Sequence, residues 1–133
     1  MTPEYRRTEW DRAADSLRGA EQLLAIDDFD GAASRAYYAA FHAVSALFAH
    51  EGRCFTRHGQ VRAAVHRDLV KTGRWQEHLG RAFDFCVNLR GVGDYGTEVR
   101  VSREQAAEAV DNARHILNAV RAAVPVDTPQ PPD

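Results

Sequence analysis

GAASRAYYAAFHAVSALFAHE, residues 31–51, is the stretch that decides the fold. Tyr37, Ala40, Val44 and Leu47 recur at the three- and four-residue steps of one helix face, and Tyr38, Phe41 and Phe48 form a second apolar stripe. A helix that is apolar on more than one side is surrounded by other helices. Ala32, Ala36, Ala39, Ala43 and Ala46 allow those neighbours to approach closely, and Gly52 supplies a C-terminal stop. The segment therefore predicts the central, buried helix of an all-α bundle.

Working outward, the acidic joint Asp27-Asp28-Phe29-Asp30 precedes this helix and suits the positive end of its dipole. Before it, Trp10, Ala13, Leu17, Ala20 and Leu24 predict a first helix running to about Ile26, with Thr2 as its cap and Pro3 in its first turn. After it, Val61, Ala64, Val65 and Leu69 predict a third helix over 57–70, capped by Thr56 and stopped at Lys71-Thr72-Gly73. Leu79, Phe83, Cys86 and Leu89 predict a fourth over 75–90, ended by Gly91 and Gly93, with a loop from Asp94 to Val101. Ser102 and Gln105 have the spacing of a capping box, opening a last helix with Ala106, Val110, Ala113, Leu117 and Val120 on its core side. The expectation is one domain over 1–124, an up-and-down bundle of about five helices, and a disordered proline-rich tail over 125–133.

The composition is that of an ordinary globular chain, with 44% hydrophobic and 27% charged residues. No apolar run approaches the roughly 20 residues of a bilayer span. The first ten residues lack an apolar signal-peptide core, so a cytoplasmic protein without membrane contact is expected. Cys54 and Cys86 make no disulfide framework, the six histidines show no metal spacing, and nothing calls for a cofactor. A net charge of −2 argues against a whole-molecule polyanion binder. The middle of the chain nevertheless carries Arg53, Arg57, Arg62, Arg67, Lys71, Arg74 and Arg81. They form either a basic binding face or a solvated helix surface.

Glycine-rich phosphate loops, HExxH and the nucleophile elbow are absent. Three groupings carry chemistry. On the central helix, Arg35 and His42 are seven residues apart and share a face, with Tyr37 and Tyr38 between them. They either satisfy neighbours in the core or line a cleft or dimer seam. Thr56-Arg57-His58-Gly59 opens the third helix, where Arg57 adds charge to a helix N-terminus. Arg90-Gly-Val-Gly-Asp94-Tyr95 ends the fourth apolar stripe. There Arg90 is either a structural clasp closed by Asp94 or a phosphate-binding arginine with Tyr95 as hydroxyl donor or stacking platform.

Taken in order, SRAYYAAFH (34–42), TRHGQVRAAV (56–65), LRGVGDYG (89–96) and the alanine-rich last helix resemble the HEPN superfamily. The resemblance covers about Phe29 to Leu117. It implies a helical bundle that dimerises and that pairs with a minimal nucleotidyltransferase as toxin and antitoxin. It also implies, in the active members, metal-independent RNA cleavage by an arginine followed after four to six residues by a histidine. Arg90 matches that arginine, while Asp94 and Tyr95 stand where the histidine is sought. Arg53 and His58 share the spacing but precede the third helix and are expected to lie elsewhere. The reading that follows is a homodimeric module that binds a nucleotide or RNA phosphate. Arg90, Asp94 and Tyr95 would be its reactive group, and Arg35, Tyr38, His42, Arg57 and His58 its ligand-binding group. An active ribonuclease and a non-catalytic scaffold remain as alternatives.

Overall fold

A computed structural model of the chain describes residues 3–96 and 99–124, so Thr2 and the proline-rich tail lie outside the described residues. Five α-helices follow one another: α1 (Pro3–Ala25), α2 (Phe29–His50), α3 (His58–Ala64), α4 (Glu77–Tyr95) and α5 (Arg103–Ala123). A π-helical segment, Val65–Val70, continues α3. There is no strand among the described residues.

α2 lies at the centre, packed most extensively on α1 and then on α5 and α4. Its alanines at 32, 36, 39, 40 and 43 are fully buried, together with Val44 and Phe48. Alanine has no side-chain rotamer freedom to lose on burial, so this seam is close-packed at little entropic cost. Trp10 and Leu17 of α1, Phe83 of α4 and Ile116 and Leu117 of α5 close the core around it. Truncating Phe83 to alanine here is expected to cost about 3–5 kcal/mol. The predicted capping box forms in full: Gln105 N–H donates to Ser102 Oγ (3.1 Å) and Ser102 N–H to Gln105 Oε1 (3.0 Å).

Three local expectations are corrected. The N-cap of α3 is Arg57, in extended conformation and without a side-chain cap bond, so Thr56 does not cap it. Trp75 is buried ahead of α4, which begins at Glu77. Most consequentially, α4 does not stop at Gly91 and Gly93 but runs on to Tyr95. Gly93 is there for close approach: a Cβ on it would lie 3.1 Å from the Asp30 carbonyl oxygen. The helix ends instead at Gly96, where a Cβ would meet the carbonyl oxygens of Val92 at 2.5 Å and Val99 at 2.8 Å. The two extra residues of helix after Gly93 place Asp94 one turn beyond Arg90, on the same face.

The basic middle segment is mostly neutralised. Arg53 and Arg67 pair with Asp68, Arg62 with Asp84, Arg74 with Glu51 and Arg81 with Glu77. Arg67 and then Arg53, hydrogen-bonded to its carboxylate, bring Asp68 down to about 2. The segment is a solvated, charge-paired surface.

Candidate functional site

The site is built where α2, the start of α3 and the end of α4 meet. Arg90, on α4, donates Nε–H to Asp94 Oδ2 (2.9 Å) and an Nη2 hydrogen to the Tyr38 hydroxyl on α2 (3.0 Å). Its guanidinium carbon lies 5.1, 5.3 and 5.7 Å from the ring centres of Tyr37, Tyr38 and Tyr95, within cation–π range of all three. The Arg90 side chain is 23% exposed. The clasp with Asp94 thus forms, yet it uses only the Nε edge. A guanidinium has five N–H donors, and the two on Nη1 have no partner among the described residues. Arg90 is held in place by Asp94 and Tyr38, with donors left for an anion.

His58, the first residue of α3, comes to the same place. Its ring stacks on Phe41 (centres 4.1 Å apart, 28° between planes), and its Nδ1 is 2.7 Å from the Tyr37 hydroxyl. Burial, the nearby Arg90 charge and His42 together push the His58 imidazole below the ordinary histidine value. Burial pushes Tyr37 up to about 12, so its hydroxyl keeps its proton. The expectation that His58 lies away from Arg90 is therefore overturned. Arg90 has a histidine beside it, delivered from another helix and earlier in the chain, where a forward arginine-to-histidine spacing does not look.

On the other side of Tyr38 an open cleft of about 420 Å³ runs between α1 and α2, lined by Arg12, Asp15, Ser16, Arg35, Tyr38 and His42. Arg35 and His42 do share a face there, as their spacing predicts. Arg35 is exposed and makes no ion pair among the described residues. The ring of His42 stacks near that of Tyr38 (centres 6.2 Å, 28°). Its Nδ1 is 2.8 Å from Oε2 of Glu9, whose other oxygen accepts from Arg12 at 3.1 Å. Glu9 is only 5% exposed. It is not among the residues that the sequence singles out. The signal was available: Glu9 is one turn from Ala13 on the inward side of α1, and a carboxylate on a core-facing stripe needs a partner.

Two expected residues contribute less. Arg57 is exposed, with no bond to the cluster. Tyr95 touches Arg90 through its ring but is 72% exposed. No group of histidine, cysteine, aspartate and glutamate side chains is arranged to hold a metal ion among the described residues. No described helix is long and apolar enough to cross a membrane. What the site offers is a guanidinium whose Nη1 donors have no partner among the described residues, an imidazole biased to its neutral form and two phenol hydroxyls. This set has the chemistry to hold an anion and to move a proton beside it.

A compact all-α module with such a cluster between its second and fourth helices is the class that fold and site define. Residues 8–123 match the model of the HEPN domain, and the chain belongs to that family. A UPF0332 protein of Thermotoga maritima is 36% identical over 109 residues, covering 82% of this chain and 83% of that one. Two proteins of Methanocaldococcus jannaschii, named "Putative toxin MJ0142" and "Putative toxin MJ0605", are 25% and 28% identical, each over 84% of this chain and over 76% and 83% of their own length. The crystal structure of TT1696 from Thermus thermophilus superposes with a TM-score of 0.77 at 23% identity, over 90% of this chain and 98% of that one, and shares its fold.

Proposed function

We propose that this HEPN protein is a toxin-like module that binds the phosphate of RNA or of a nucleotide at Arg90 and works with a nucleotidyltransferase partner as its antidote. The observation that carries the reading is the state of Arg90, which is anchored by Asp94 and Tyr38 on a tyrosine platform while its Nη1 hydrogens have no partner among the described residues. An arginine so pre-organised loses little freedom on meeting a planar pair of phosphate oxygens. Family membership and the names of the two archaeal relatives support the toxin-like part. The module acts as a homodimer, a reading supported by the half-buried Tyr38 and Phe41 on the second face of α2. Docking through the basic middle segment has less support, since Arg53, Arg62, Arg67, Arg74 and Arg81 are already paired.

The test is expression of the chain alone, of its Arg90→Ala variant, and of the chain together with a nucleotidyltransferase encoded beside it. The reading expects growth inhibition that Arg90→Ala abolishes and the partner relieves. Normal growth in all three cultures, with no RNA binding in vitro, contradicts it.

A second reading, metal-independent RNA cleavage, is favoured by one observation. His58 stands beside Arg90 with its pKa lowered, so it is available near neutral pH as a base for a ribose 2′-hydroxyl. It expects RNA cleavage that persists in EDTA and disappears in His58→Ala. Binding without cleavage leaves the module as a binder.

A further inference from the structure

The cleft of about 420 Å³ between α1 and α2 lies outside the Arg90 cluster and touches it only through Tyr38. Its volume is that of a small-molecule site. Arg12 and Ser16 of α1 are one helical turn apart, as are Arg35 and Tyr38 of α2, so each pair shares a helix face on the cleft. The Arg35 side chain lies back over Gly19 of α1, where a Cβ would sit 3.8 Å from its Cγ, Cδ and Nε, and so bridges the two helices. Donors are left over on both walls. Ser16 is 6% exposed, and its hydroxyl has no partner among the described residues. That hydroxyl is not sealed in the core, so the surface it keeps opens onto the cleft. Arg35 makes no hydrogen bond or ion pair among the described residues. Arg12 gives an Nη1 hydrogen to Glu9, and its other donors have no partner among the described residues. Tyr38 accepts from Arg90, and its own hydroxyl hydrogen has no acceptor among the described residues. Asp15, the acid in the lining, is already paired with Arg18.

We infer that this cleft is a second anion site, distinct from Arg90, and that it takes a terminal phosphate group, a phosphate monoester rather than a backbone diester. Arg35 and Arg12 oppose its charge from the two walls, and Ser16 and Tyr38 donate to its oxygens. Leftover donors without acceptors call for an oxyanion, and a buried hydroxyl left without a partner costs stability that a ligand oxygen restores. A phosphate monoester brings about two negative charges at neutral pH and three acceptor oxygens. A backbone diester brings fewer of both, and its second ester arm must leave through a floor closed by Ser16. The same terminal phosphate comes from the end of an RNA strand or from a free phosphorylated molecule.

The experiment titrates inorganic phosphate and dimethyl phosphate into the unmodified chain and into Arg90→Ala, at low salt and mildly alkaline pH, and follows the backbone amides of Ser16 and Gly19 by NMR. Arg90→Ala leaves the cleft as the only one of the two anion sites. Phosphate should shift both amides in both proteins, with a Kd of roughly 1 mM or below, and dimethyl phosphate should bind about tenfold more weakly or worse. Arg35→Gln, at an exposed position, should weaken phosphate binding by about tenfold or more. Ser16→Ala should weaken it by roughly five- to tenfold, and its melting temperature should be unchanged or higher, because it deletes a hydroxyl that the fold leaves unpaired. Short oligoadenylates with and without a 5′-phosphate separate the sources. A gain in affinity from the 5′-phosphate that disappears in Arg35→Gln assigns the group to an RNA end, and no gain assigns it to a free phosphorylated molecule. Equal affinity for the two phosphates, or unchanged phosphate affinity in Arg35→Gln, overturns the cleft site. Shifts confined to the residues around Arg90 overturn it as well and leave the Arg90 reading standing. Phosphate bound in the cleft, with RNA affinity unchanged in Arg90→Ala, does the reverse.

Discussion

Two arginine-bearing regions of this protein look alike in sequence and differ in the fold. Ahead of α3 and along it and its π-helical extension, Arg53 and Arg67 share the Asp68 carboxylate and Arg62 pairs with Asp84, so much of the positive charge there is offset. At the end of α4, Arg90 also finds a carboxylate, but it lies across three tyrosine rings and its Nη1 donors have no partner among the described residues. Beyond Tyr38, Arg35 has no ion pair at all among the described residues. If Arg90 is the phosphate site proposed above, density of arginine along the chain points away from it. What marks a binding arginine is the set of donors left over after its structural bonds are made.

The sharpest way to break this contrast is Arg90→Lys. An ammonium keeps the charge but cannot reach Asp94, Tyr38 and a phosphate from one planar fork. RNA affinity should fall tenfold or more, while the melting temperature moves by only a few degrees, because the pair it disturbs is partly exposed. Retained affinity would mean that charge alone suffices there, and the two regions would then differ only in degree.

The salt dependence comes next. If only Arg35 and Arg90 meet phosphates, the slope of log K against log salt for single-stranded RNA should be roughly −1 to −2. A slope near −5 would show that the paired arginines open to meet the ligand.

Smaller effects are spectroscopic. Removing Arg90 takes away one of the charges that hold His58 down, so the His58 pKa should rise in Arg90→Ala, as followed by NMR. The sign can be checked on stability. His58 is depressed in the folded state, so the unfolded chain binds more protons below about pH 6.5. Its contribution is present above that pH and is lost as pH falls through the folded value. Arg90→Ala should narrow that window. On the paired surface, Arg67→Ala should lift Asp68 from about 2 toward the ordinary carboxylate range and leave RNA affinity within about twofold. The Asp68 contribution is present above about pH 4 and lost as pH falls through 2.

The same contrast explains what the sequence made legible. The double stripe of α2 predicts a central helix because burial on all sides needs apolar residues on all sides, and the Ser102–Gln105 box predicts the start of α5 because its bonds are local. The run of α4 past Gly91 and Gly93 was not legible. Glycine is a poor helix former by propensity, and here the close packing of Gly93 against Asp30 overrides that preference. In the site, Arg35, Tyr38 and His42 were legible as one helix face. The meeting of His58 with Arg90, and of Glu9 with His42, was not, because periodicity orders residues within a helix and says nothing of which helices face each other. Glu9 left the one available trace, a carboxylate on an inward-facing stripe.

The central claim is that Arg90 faces a ligand and the arginines of the middle segment do not. The most direct test titrates one RNA oligonucleotide, at low salt, into the unmodified chain, Arg90→Ala and Arg62→Ala, with the melting temperature of each variant measured alongside. The account predicts a tenfold or greater loss for Arg90→Ala and less than about a twofold change for Arg62→Ala, with both variants folded. Equal losses in the two variants, or a larger loss for Arg62→Ala, would contradict it.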